Sequence, residues 1–212
     1  MDKPTLYGPA YSTYTRSARL ALEEKGVDYN FVEVDFMQGP MPDEQIERHP
    51  FARVPAFEHD GFQLYEVTAI ERYVDEAFDG PSLQPENVQE RARMNQIISI
   101  LDSYTYSCTV GQLVIQRLVM PMLDKQPDEA AITAALPEIA TSMSALAALR
   151  GNNTFLAGNQ LSLADLHFAP IFDYFRNTPE SGPILEKNSG LSDWWNEMSE
   201  RTSIQKTPFQ PG

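Results

Sequence analysis

A β-hairpin is predicted by the stretch Val54-Pro55-Ala56-Phe57-Glu58-His59-Asp60-Gly61-Phe62-Gln63-Leu64-Tyr65-Glu66. Two short runs within it, 54–58 and 62–65, carry the valine, phenylalanine and tyrosine that are enriched in strands. The residues between the runs include Asp60-Gly61, a dipeptide favoured in the tight turns that join antiparallel strands. The chain is therefore expected to contain at least one antiparallel pair of strands.

Elements on both sides of the hairpin complete an α/β unit. Upstream, 5–7 and 29–34 have the composition of strands, and the apolar spacing of 13–25 predicts a helix. A short helix is predicted over 44–48, and another, over 67–78, follows the hairpin. The resulting order is βαβαββα, an α/β layer of about eighty residues.

The remainder of the chain is predicted to be all helical. The segment from Asp79 to Pro85 is polar and contains glycine and proline, which predicts a domain boundary. We expect an α/β N-terminal domain over 1–79, a linker over 80–86 and an all-helical C-terminal domain over 87–212. The main helices of that domain are predicted over 88–119, 128–150, 162–175 and 191–201.

The composition restricts the classes of function. The 212 residues include 16 basic and 30 acidic side chains, and the net charge of −14 disfavours binding to nucleic acid or to an anionic membrane surface. We expect no signal peptide and no apolar run of the ~18 residues that span a membrane. Cys108 is the only cysteine and the three histidines are far apart, so no disulfide, CxxC pair or metal site is predicted. These features favour a cytoplasmic protein.

Four stretches, in a fixed order, carry a resemblance to a known family. They are Gly8-Pro9-Ala10-Tyr11-Ser12-Thr13-Tyr14-Thr15-Arg16, His49-Pro50-Phe51-Ala52-Arg53-Val54-Pro55-Ala56-Phe57, Leu64-Tyr65-Glu66-Val67-Thr68-Ala69-Ile70, and Phe155-Leu156-Ala157-Gly158 followed by Ser162-Leu163-Ala164-Asp165-Leu166. Together they span nearly the whole chain and resemble the cytosolic glutathione transferases, in particular the serine-type, phi-like members. The resemblance implies that the N-terminal domain is thioredoxin-like and binds glutathione as co-substrate, and that the all-helical C-terminal domain forms the pocket for the second substrate. It also implies a homodimer.

Ser12 is the residue that the resemblance marks as catalytic. A thiol attacks an electrophile as its thiolate, and an ordinary cysteine-type thiol titrates near ~8.5. One hydrogen bond to the charged sulfur, worth roughly 1.5–3 kcal/mol, lowers that pKa by about one to two units. The residues alone leave two alternatives open, because Ser12 also suits the N-cap of the helix at 13–25 and Tyr7 is a rival donor. The resemblance favours Ser12.

The resemblance also assigns residues that bind glutathione. It implies that Pro55 follows a cis peptide bond, which leaves the backbone of Val54 free to pair with the cysteinyl part of glutathione. It implies that Glu66 and Val67 bind the γ-glutamyl end at the start of a helix. Tyr11, in the serine loop, belongs to the same site or lines the neighbouring pocket. On its own, Pro55 indicates only an edge-strand proline at a turn.

Two features depart from the phi-like pattern. Val67 stands where a serine normally offers its hydroxyl to the γ-glutamyl carboxylate, which leaves the backbone N–H and the hydroxyl of Thr68 as candidate donors. The loop Gln38-Gly39-Pro40-Met41-Pro42 lacks the lysine that the pattern provides for the glycyl carboxylate. Arg53 is the candidate replacement for that lysine, and otherwise a solvated arginine. Both departures concern the affinity for glutathione.

The second substrate is expected between Phe36 and one face of the long helix. Tyr104, Cys108 and Gln112 recur at the spacing of an α-helical face, and Ile115 continues the stripe. Such a stripe is also typical of an ordinary core, and Cys108 alone indicates a small buried apolar side chain.

The predicted function is conjugation of reduced glutathione to small hydrophobic electrophiles. The same thiolate could serve a peroxidase or a disulfide reductase, and the sequence does not separate these reactions. The alternative class is a non-catalytic module that binds ligands or proteins, which Val67 and the lysine-free loop favour. Phe51 is either an anchor between two subunits or a loop aromatic packed on its own domain.

Overall fold

A computed structural model describes residues 2–37 and 39–209 of the chain, so Gln38 of the predicted lysine-free loop lies outside the described residues. The first half folds as the predicted thioredoxin-like unit of order βαβαββα. Its elements are β1 (Thr5–Tyr7), α1 (Thr13–Lys25), β2 (Asn30–Val32), α2 (Asp43–Arg48), β3 (Ala56–His59), β4 (Phe62–Tyr65) and α3 (Val67–Ala77).

The strands form one mixed four-stranded sheet of order β2-β1-β3-β4. Strand β1 is parallel to β2 and antiparallel to β3, and β3 is antiparallel to β4. The hairpin turns at Asp60 and Gly61, whose φ angles of 49° and 77° suit a two-residue turn that matches the twist of the strands. Leu6 of β1 is the register partner of Phe57 of β3, and both are fully buried under the helices.

The second half is helical. Helix α3 ends at Ala77 and the next helix begins at Val88, and the predicted linker at 80–86 lies between them. The domain bounds themselves stay predictions. The helices are α4 (Val88–Ile100), α5 (Met120–Met122), α6 (Glu129–Arg150), α7 (Leu163–Arg176), α8 (Ser181–Glu186), α9 (Ser189–Ser199) and α10 (Thr202–Lys206). The sequence patterns did not predict α8 and α10, which are 6 and 5 residues long.

The run of helix from α4 to α5, called the long helix here, is not α-helical throughout. Between them lie two π-helical segments, Leu101–Thr105 and Ser107–Val119. The N–H of Tyr106 donates to the carbonyl of Leu101, five residues back. Such i→i+5 bonding is rare and is often found at functional sites. It replaces the continuous α-helix predicted over 88–119.

Helix α6 has the length and mean hydropathy of a membrane-spanning helix, although polar residues such as Thr133, Glu138 and Ser142 interrupt its apolar sequence. It is the one helix among the described residues that meets the requirements of length and composition. This is weak evidence for a membrane span, because core helices of soluble proteins meet the same requirements. Ile139, Met143 and Leu146 of α6 are fully buried. The helix packs against both π-helical segments, where the hydroxyls of Ser142 and Thr105 form a hydrogen bond.

Helix α7 lies at the centre of the helical half. Near its start, the buried carboxylate of Asp165 accepts hydrogen bonds from the backbone N–H of Ser162 (2.9 Å) and from its hydroxyl (2.8 Å). The other oxygen of Asp165 accepts from the N–H of Leu156 and from Nε1 of Trp194, both at 2.8 Å. Such a capping arrangement fixes the start of a helix. These contacts join α7 to the preceding loop and to α9.

Helix α1 contacts both halves of the chain, because it packs against α3 on one side and α7 on the other. Gly26 ends it in the left-handed conformation, with φ of 69°. Within it, Arg16 is fully buried, and its guanidinium donates to the carboxylate of Asp173 at 2.8 Å and to the carbonyl of Thr207 at 2.9 Å. The start of α1 is thereby fixed relative to the helical half.

Candidate active site

A cavity of about 700 Å³ opens between the loops of the N-terminal half and the long helix. Several residues predicted to bind substrates line it, namely Tyr11, Ser12, Phe36, Arg53, Val54, Glu66 and Val67. Pro55 is buried beside Val54. Tyr104, Cys108 and Gln112 are not part of the wall that the described residues form. The predicted glutathione residues and Phe36 therefore converge on one place, whereas Ile115 alone, among the four residues predicted on the face of the long helix, reaches it.

Ser12 lies at the start of α1 and borders the cavity. Its Oγ accepts a hydrogen bond from the N–H of Thr15 at 3.3 Å, so the residue caps the helix. That bond uses an oxygen lone pair and leaves the hydroxyl hydrogen available to a ligand. The rival Tyr7 does not line the cavity, and its ring lies under the guanidinium of Arg48 at 4.1 Å.

The backbone of Val54 borders the cavity beside a cis peptide bond. The bond between Val54 and Pro55 is cis, as the resemblance implies. Val54 precedes β3, which begins at Ala56, so its N–H and C=O lie outside the sheet ladder. Gln45 of α2 donates from Nε2 to the carbonyl oxygen of Arg53 at 2.9 Å and so holds the residue before Val54 in place.

Glu66 joins β4 to α3 in a conformation that side-chain-bearing residues rarely adopt, with φ of 70°. Such backbone strain costs about 1–3 kcal/mol and is concentrated at functional sites. The first backbone bonds of α3 are donated by Ala69 and Ile70 to the carbonyl of Glu66 at 2.9 and 3.1 Å. The N–H groups of Val67 and Thr68 precede those bonds at the positive end of the helix, where anions bind.

The side chains of Val67 and Thr68 do not replace the missing serine. Val67 is 6 % exposed and packs into the core. The hydroxyl of Thr68 donates to the carboxylate of Asp102 at 3.3 Å, so its hydrogen is already used. A ligand carboxylate at the start of α3 therefore meets backbone donors alone.

Arg53 is the one guanidinium or ammonium group on the cavity wall, within the part of the chain that the structure describes. Its side chain is exposed. The lysine-free loop places Met37 and Met41 on the same wall. Nearby, burial lowers the pKa of His49, Glu66 partly opposes that shift, and the charge of Arg53 adds to it. His49 is therefore neutral near pH 7, which leaves Arg53 as the only cation that the described residues of the wall offer to an anionic ligand.

The face of the long helix that borders the cavity differs from the predicted one. Tyr104 is 69 % exposed to solvent. Cys108 is buried, and its thiol donates to the carbonyl oxygens of Tyr104 and Thr105 at 3.3 and 3.4 Å. Burial raises the pKa of this thiol, which keeps it protonated. Gln112 likewise lies away from the described wall.

The observed face differs from the predicted one in phase and not in spacing. In a helix, side chains three or four residues apart share a face, and the prediction used that spacing. The residues of the long helix that line the cavity between 101 and 119 are Asp102, Tyr106, Val110, Val114, Ile115, Leu118 and Val119. Most of them recur every four residues, as Tyr104, Cys108 and Gln112 do, but they lie two positions away along the chain.

A buried ionic network that was not predicted joins the cavity to the core, and we call it the His167 network. Nδ1 of His167, in α7, lies 3.0 Å from Oε2 of Glu71 in α3. Its Nε2 lies 3.0 Å from Oδ1 of Asp102, which borders the cavity. The hydroxyl of Tyr14 donates to Oδ1 of Asp102 at 2.9 Å, and that of Thr68 donates to Oδ2 at 3.3 Å.

The charges of the network follow from its geometry. Burial disfavours an imidazolium, but the carboxylates of Glu71 and Asp102 outweigh this effect and raise the pKa of His167 to about 10. Burial also raises the pKa of an acid, yet the hydrogen bond from His167 holds the pKa of Asp102 below its usual range. Burial and the nearby Asp102 raise the pKa of Tyr14, so its hydroxyl remains a donor. His167 is thus a cation at neutral pH.

No local pattern reveals these residues. Glu71 and Asp102 lie 96 and 65 positions from His167 along the chain. Each acid alone is indistinguishable from a solvated residue on a helix. The one available signal is the position of His167 directly after the Ser162–Leu166 motif, in an apolar helix, because a buried histidine requires polar partners.

Known families match both halves of the chain. The model described as the N-terminal domain of glutathione S-transferase matches residues 6–82, and the model of the C-terminal domain matches residues 109–202. The chain belongs to the glutathione S-transferase family. The resemblance of the four motifs is thereby confirmed.

Individual family members resemble the chain over nearly its full length. Glutathione S-transferase F6 of Arabidopsis thaliana is 28 % identical, over 95 % of this chain and 97 % of the relative. The crystal structure of glutathione transferase F2 from Populus trichocarpa superposes with a TM-score of 0.86 and 29 % identity, over 96 % of each chain. The structure of glutathione S-transferase I from maize, solved with an atrazine glutathione conjugate, superposes with a TM-score of 0.84 and 29 % identity. The match covers 97 % of this chain and 96 % of the maize chain.

We expect the free energy of unfolding of this glutathione S-transferase to fall as the pH rises from about 7 to about 10. An unfolded histidine titrates near ~6.5, whereas His167 in the fold titrates at about 10. Over this range the folded state holds a proton that the unfolded chain has released. The stabilisation is complete below the lower pKa and is lost as the pH rises through the upper one. Urea unfolding at a series of pH values measures this loss of stability.

The control is His167→Gln, which cannot take up this proton. Its stability should be lower at neutral pH and should fall less steeply over the same range. Other groups that titrate near the upper limit contribute to both proteins alike. Parallel stability curves for the two proteins would contradict the prediction.

Proposed function

We propose that this chain conjugates reduced glutathione to small hydrophobic electrophiles in the cytoplasm, with the hydroxyl of Ser12 stabilising the thiolate. The observation that carries the proposal is the position of Ser12. It lies at the positive end of α1 on a cavity whose other walls are the start of α3 and the apolar side of the long helix. One end of the cavity thus suits an anionic peptide and the other an apolar molecule.

The first step is ionisation of the thiol, whose proton is released to the solvent. The free hydroxyl hydrogen of Ser12 donates to the sulfur anion, and the dipole of α1 favours the same charge. The thiolate then forms a bond to the electrophilic carbon, and the electron pair of the broken bond leaves with the displaced group. No group is oxidised or reduced in these reaction steps.

The remainder of glutathione is proposed to lie along the N-terminal wall. The backbone of Val54 pairs with the cysteinyl residue, and Tyr11 lies beside it. Glu66 and the N–H groups at the start of α3 bind the γ-glutamyl end. Since Val67 offers no hydroxyl, this end loses one hydrogen bond to a charged carboxylate, roughly 1.5–3 kcal/mol, or about ten- to a hundredfold in affinity.

The electrophile is proposed to bind between Phe36 and the π-helical wall. Tyr11 and Phe36 form a tilted aromatic pair, with ring centroids 6.2 Å apart, at the edge of this region. Opposite them, Tyr106, Val110 and Val114 present apolar surface. An apolar region of this kind binds hydrophobic molecules without fixing their identity.

We expect Ser12→Ala to release fewer protons than the wild-type protein when it binds reduced glutathione at neutral pH. The lost hydrogen bond to a charged sulfur, roughly 1.5–3 kcal/mol, raises the pKa of the bound thiol by about one to two units. Calorimetric titration in buffers of different ionisation enthalpy gives both the proton release and the dissociation constant.

Ser12→Asp is the matched control, because aspartate caps a helix as serine does but offers no hydrogen to a thiolate. It should keep the stability that Ser12→Ala loses, about 0.5–2 kcal/mol, and should still release few protons. A wild-type protein that binds no glutathione would refute the proposed function and favour the non-catalytic module. Unchanged proton release in Ser12→Ala would exclude Ser12 as the donor.

We propose that Arg53 binds the glycyl carboxylate in place of the missing lysine. The wild-type protein should then bind glutathione about tenfold more tightly than γ-glutamylcysteine, which lacks that carboxylate. Arg53→Met should bind the two peptides alike, whereas Arg91→Met, exposed on α4, should keep the preference. Competition binding measures the six affinities. A preference that survives in Arg53→Met would show that another group holds the carboxylate.

We propose that the chain forms the homodimer that the resemblance implies, with Phe51 at the contact between subunits. Phe51 is 67 % exposed, and its ring is 6.2 Å from the rings of both His49 and Tyr65. Phe51→Asp is expected to sediment as a monomer. Phe62→Asp, at an aromatic side chain 50 % exposed in the hairpin, should sediment as the wild-type protein does. A dimer that persists in Phe51→Asp would place the contact elsewhere.

A further inference from the structure

The His167 network has no role in the chemistry described above, yet it connects the two helices whose first turns form the site. Tyr14 belongs to the first turn of α1, two residues after Ser12. Thr68 belongs to the first turn of α3. The hydroxyls of both residues donate to one carboxylate, that of Asp102, at 2.9 and 3.3 Å. Within the described residues, Asp102 is the one acceptor that the two first turns share.

Asp102 is held in turn by the core of the helical half. His167 is fully buried, and its two ring nitrogens lie 3.0 Å from oxygens of Asp102 and Glu71. Glu71 is itself fully buried on α3. The network therefore joins α1, α3, the long helix and α7 at one point beside the cavity.

The bonding of Asp102 argues against a direct role in binding a substrate. Its Oδ1 accepts from Tyr14 and His167, and its Oδ2 accepts from Thr68. Three of the roughly four acceptor positions of a carboxylate are then used. The adjacent imidazolium offsets its charge, so a cationic substrate gains little there. A carboxylate bound in this way orients its donors.

The two first turns must lie at a fixed separation for the proposed reaction. One glutathione molecule has its sulfur at Ser12 and its γ-glutamyl end at the start of α3, so the two helix starts have to match the length of the peptide. A misplacement of about 1 Å in such a site can cost about a hundredfold in rate.

We propose that His167 is a positioning residue: through Asp102 it holds the first turns of α1 and α3 at the separation that bound glutathione requires. This inference rests on the proposed function. It predicts that breaking the network misplaces the donor of the thiolate even when every side chain and backbone group proposed to bind glutathione is kept.

Tyr14→Phe and Thr68→Val test the inference, because each removes one hydroxyl that donates to Asp102 and neither changes a charge. The readout is the pKa of the thiol of enzyme-bound glutathione, followed by the ultraviolet absorbance of the thiolate without electrophile. Each variant should raise this pKa by about one unit and lower kcat/KM about tenfold. His167→Gln, which keeps one of two nitrogen donors at most, should have the larger effect.

Lys25→Met is the matched control. The ammonium of Lys25 donates to the carbonyl of Asp75 at 2.9 Å and to its carboxylate at 3.2 Å. This buried ion pair joins the same two helices, α1 and α3, at their opposite ends. Its loss should lower the stability of the fold and leave the pKa of the bound thiol unchanged.

A wild-type thiol pKa in both Tyr14→Phe and Thr68→Val would overturn the inference, as would an equal rise in Lys25→Met. If His167→Gln does not fold, the two hydroxyl variants decide the matter alone. The wild-type protein is titrated first, so that failure of the proposed function is recognised separately. A wild-type protein that forms no bound thiolate would overturn both, whereas a normal thiolate in every variant would overturn this inference only.

Discussion

The packing of α1 against both α3 and α7 is the contact on which the rest of the structure depends. Leu20 and Leu22 of α1 are fully buried, and burial of each such side chain is worth about 1.5–3 kcal/mol. The ion pair between Arg16 and Asp173 adds a directional contact to this apolar one. Since one helix contacts both halves of the chain, its start has a defined position relative to the sheet and to the helical wall. The cavity lies where these three parts meet.

Much of the fold could be predicted from the sequence, because the deciding signals are local. The turn at Asp60 and Gly61 and the helix stop at Gly26 are set by backbone conformations that few residue types adopt. The long helix could not be predicted in the same way. The spacing of its apolar residues is compatible with both α-helical and π-helical turns. The tertiary contacts that select i→i+5 bonding are not visible in a local pattern. The predicted Tyr104 and Cys108 lie two positions away from Tyr106 and Val110, which line the cavity with the same spacing.

The candidate site likewise contains residues that local sequence patterns predict and residues that they do not. Ser12, Val54 and Glu66 lie in short motifs that carry their own turn chemistry, and the structure brings them together. Asp102 and His167 belong to different helices, and their partnership depends on how those helices pack. A sequence shows such residues as unrelated charges. Only the distances between side chains reveal that they form one unit beside the cavity.

In a π-helical turn the hydrogen-bonded ring contains one residue more than in an α-helical turn. Deletion of a single residue from Ser107–Val119 would let such a turn become α-helical without leaving backbone groups unbonded. The residues beyond the deletion would keep their orientation around the helix axis, because the residue removed is the extra one that the wider turn accommodates. A change of one residue in chain length, with no substitution at all, is therefore enough to change the shape of the pocket at one turn without turning the rest of its wall. The buried ends of the long helix would keep their sequence throughout.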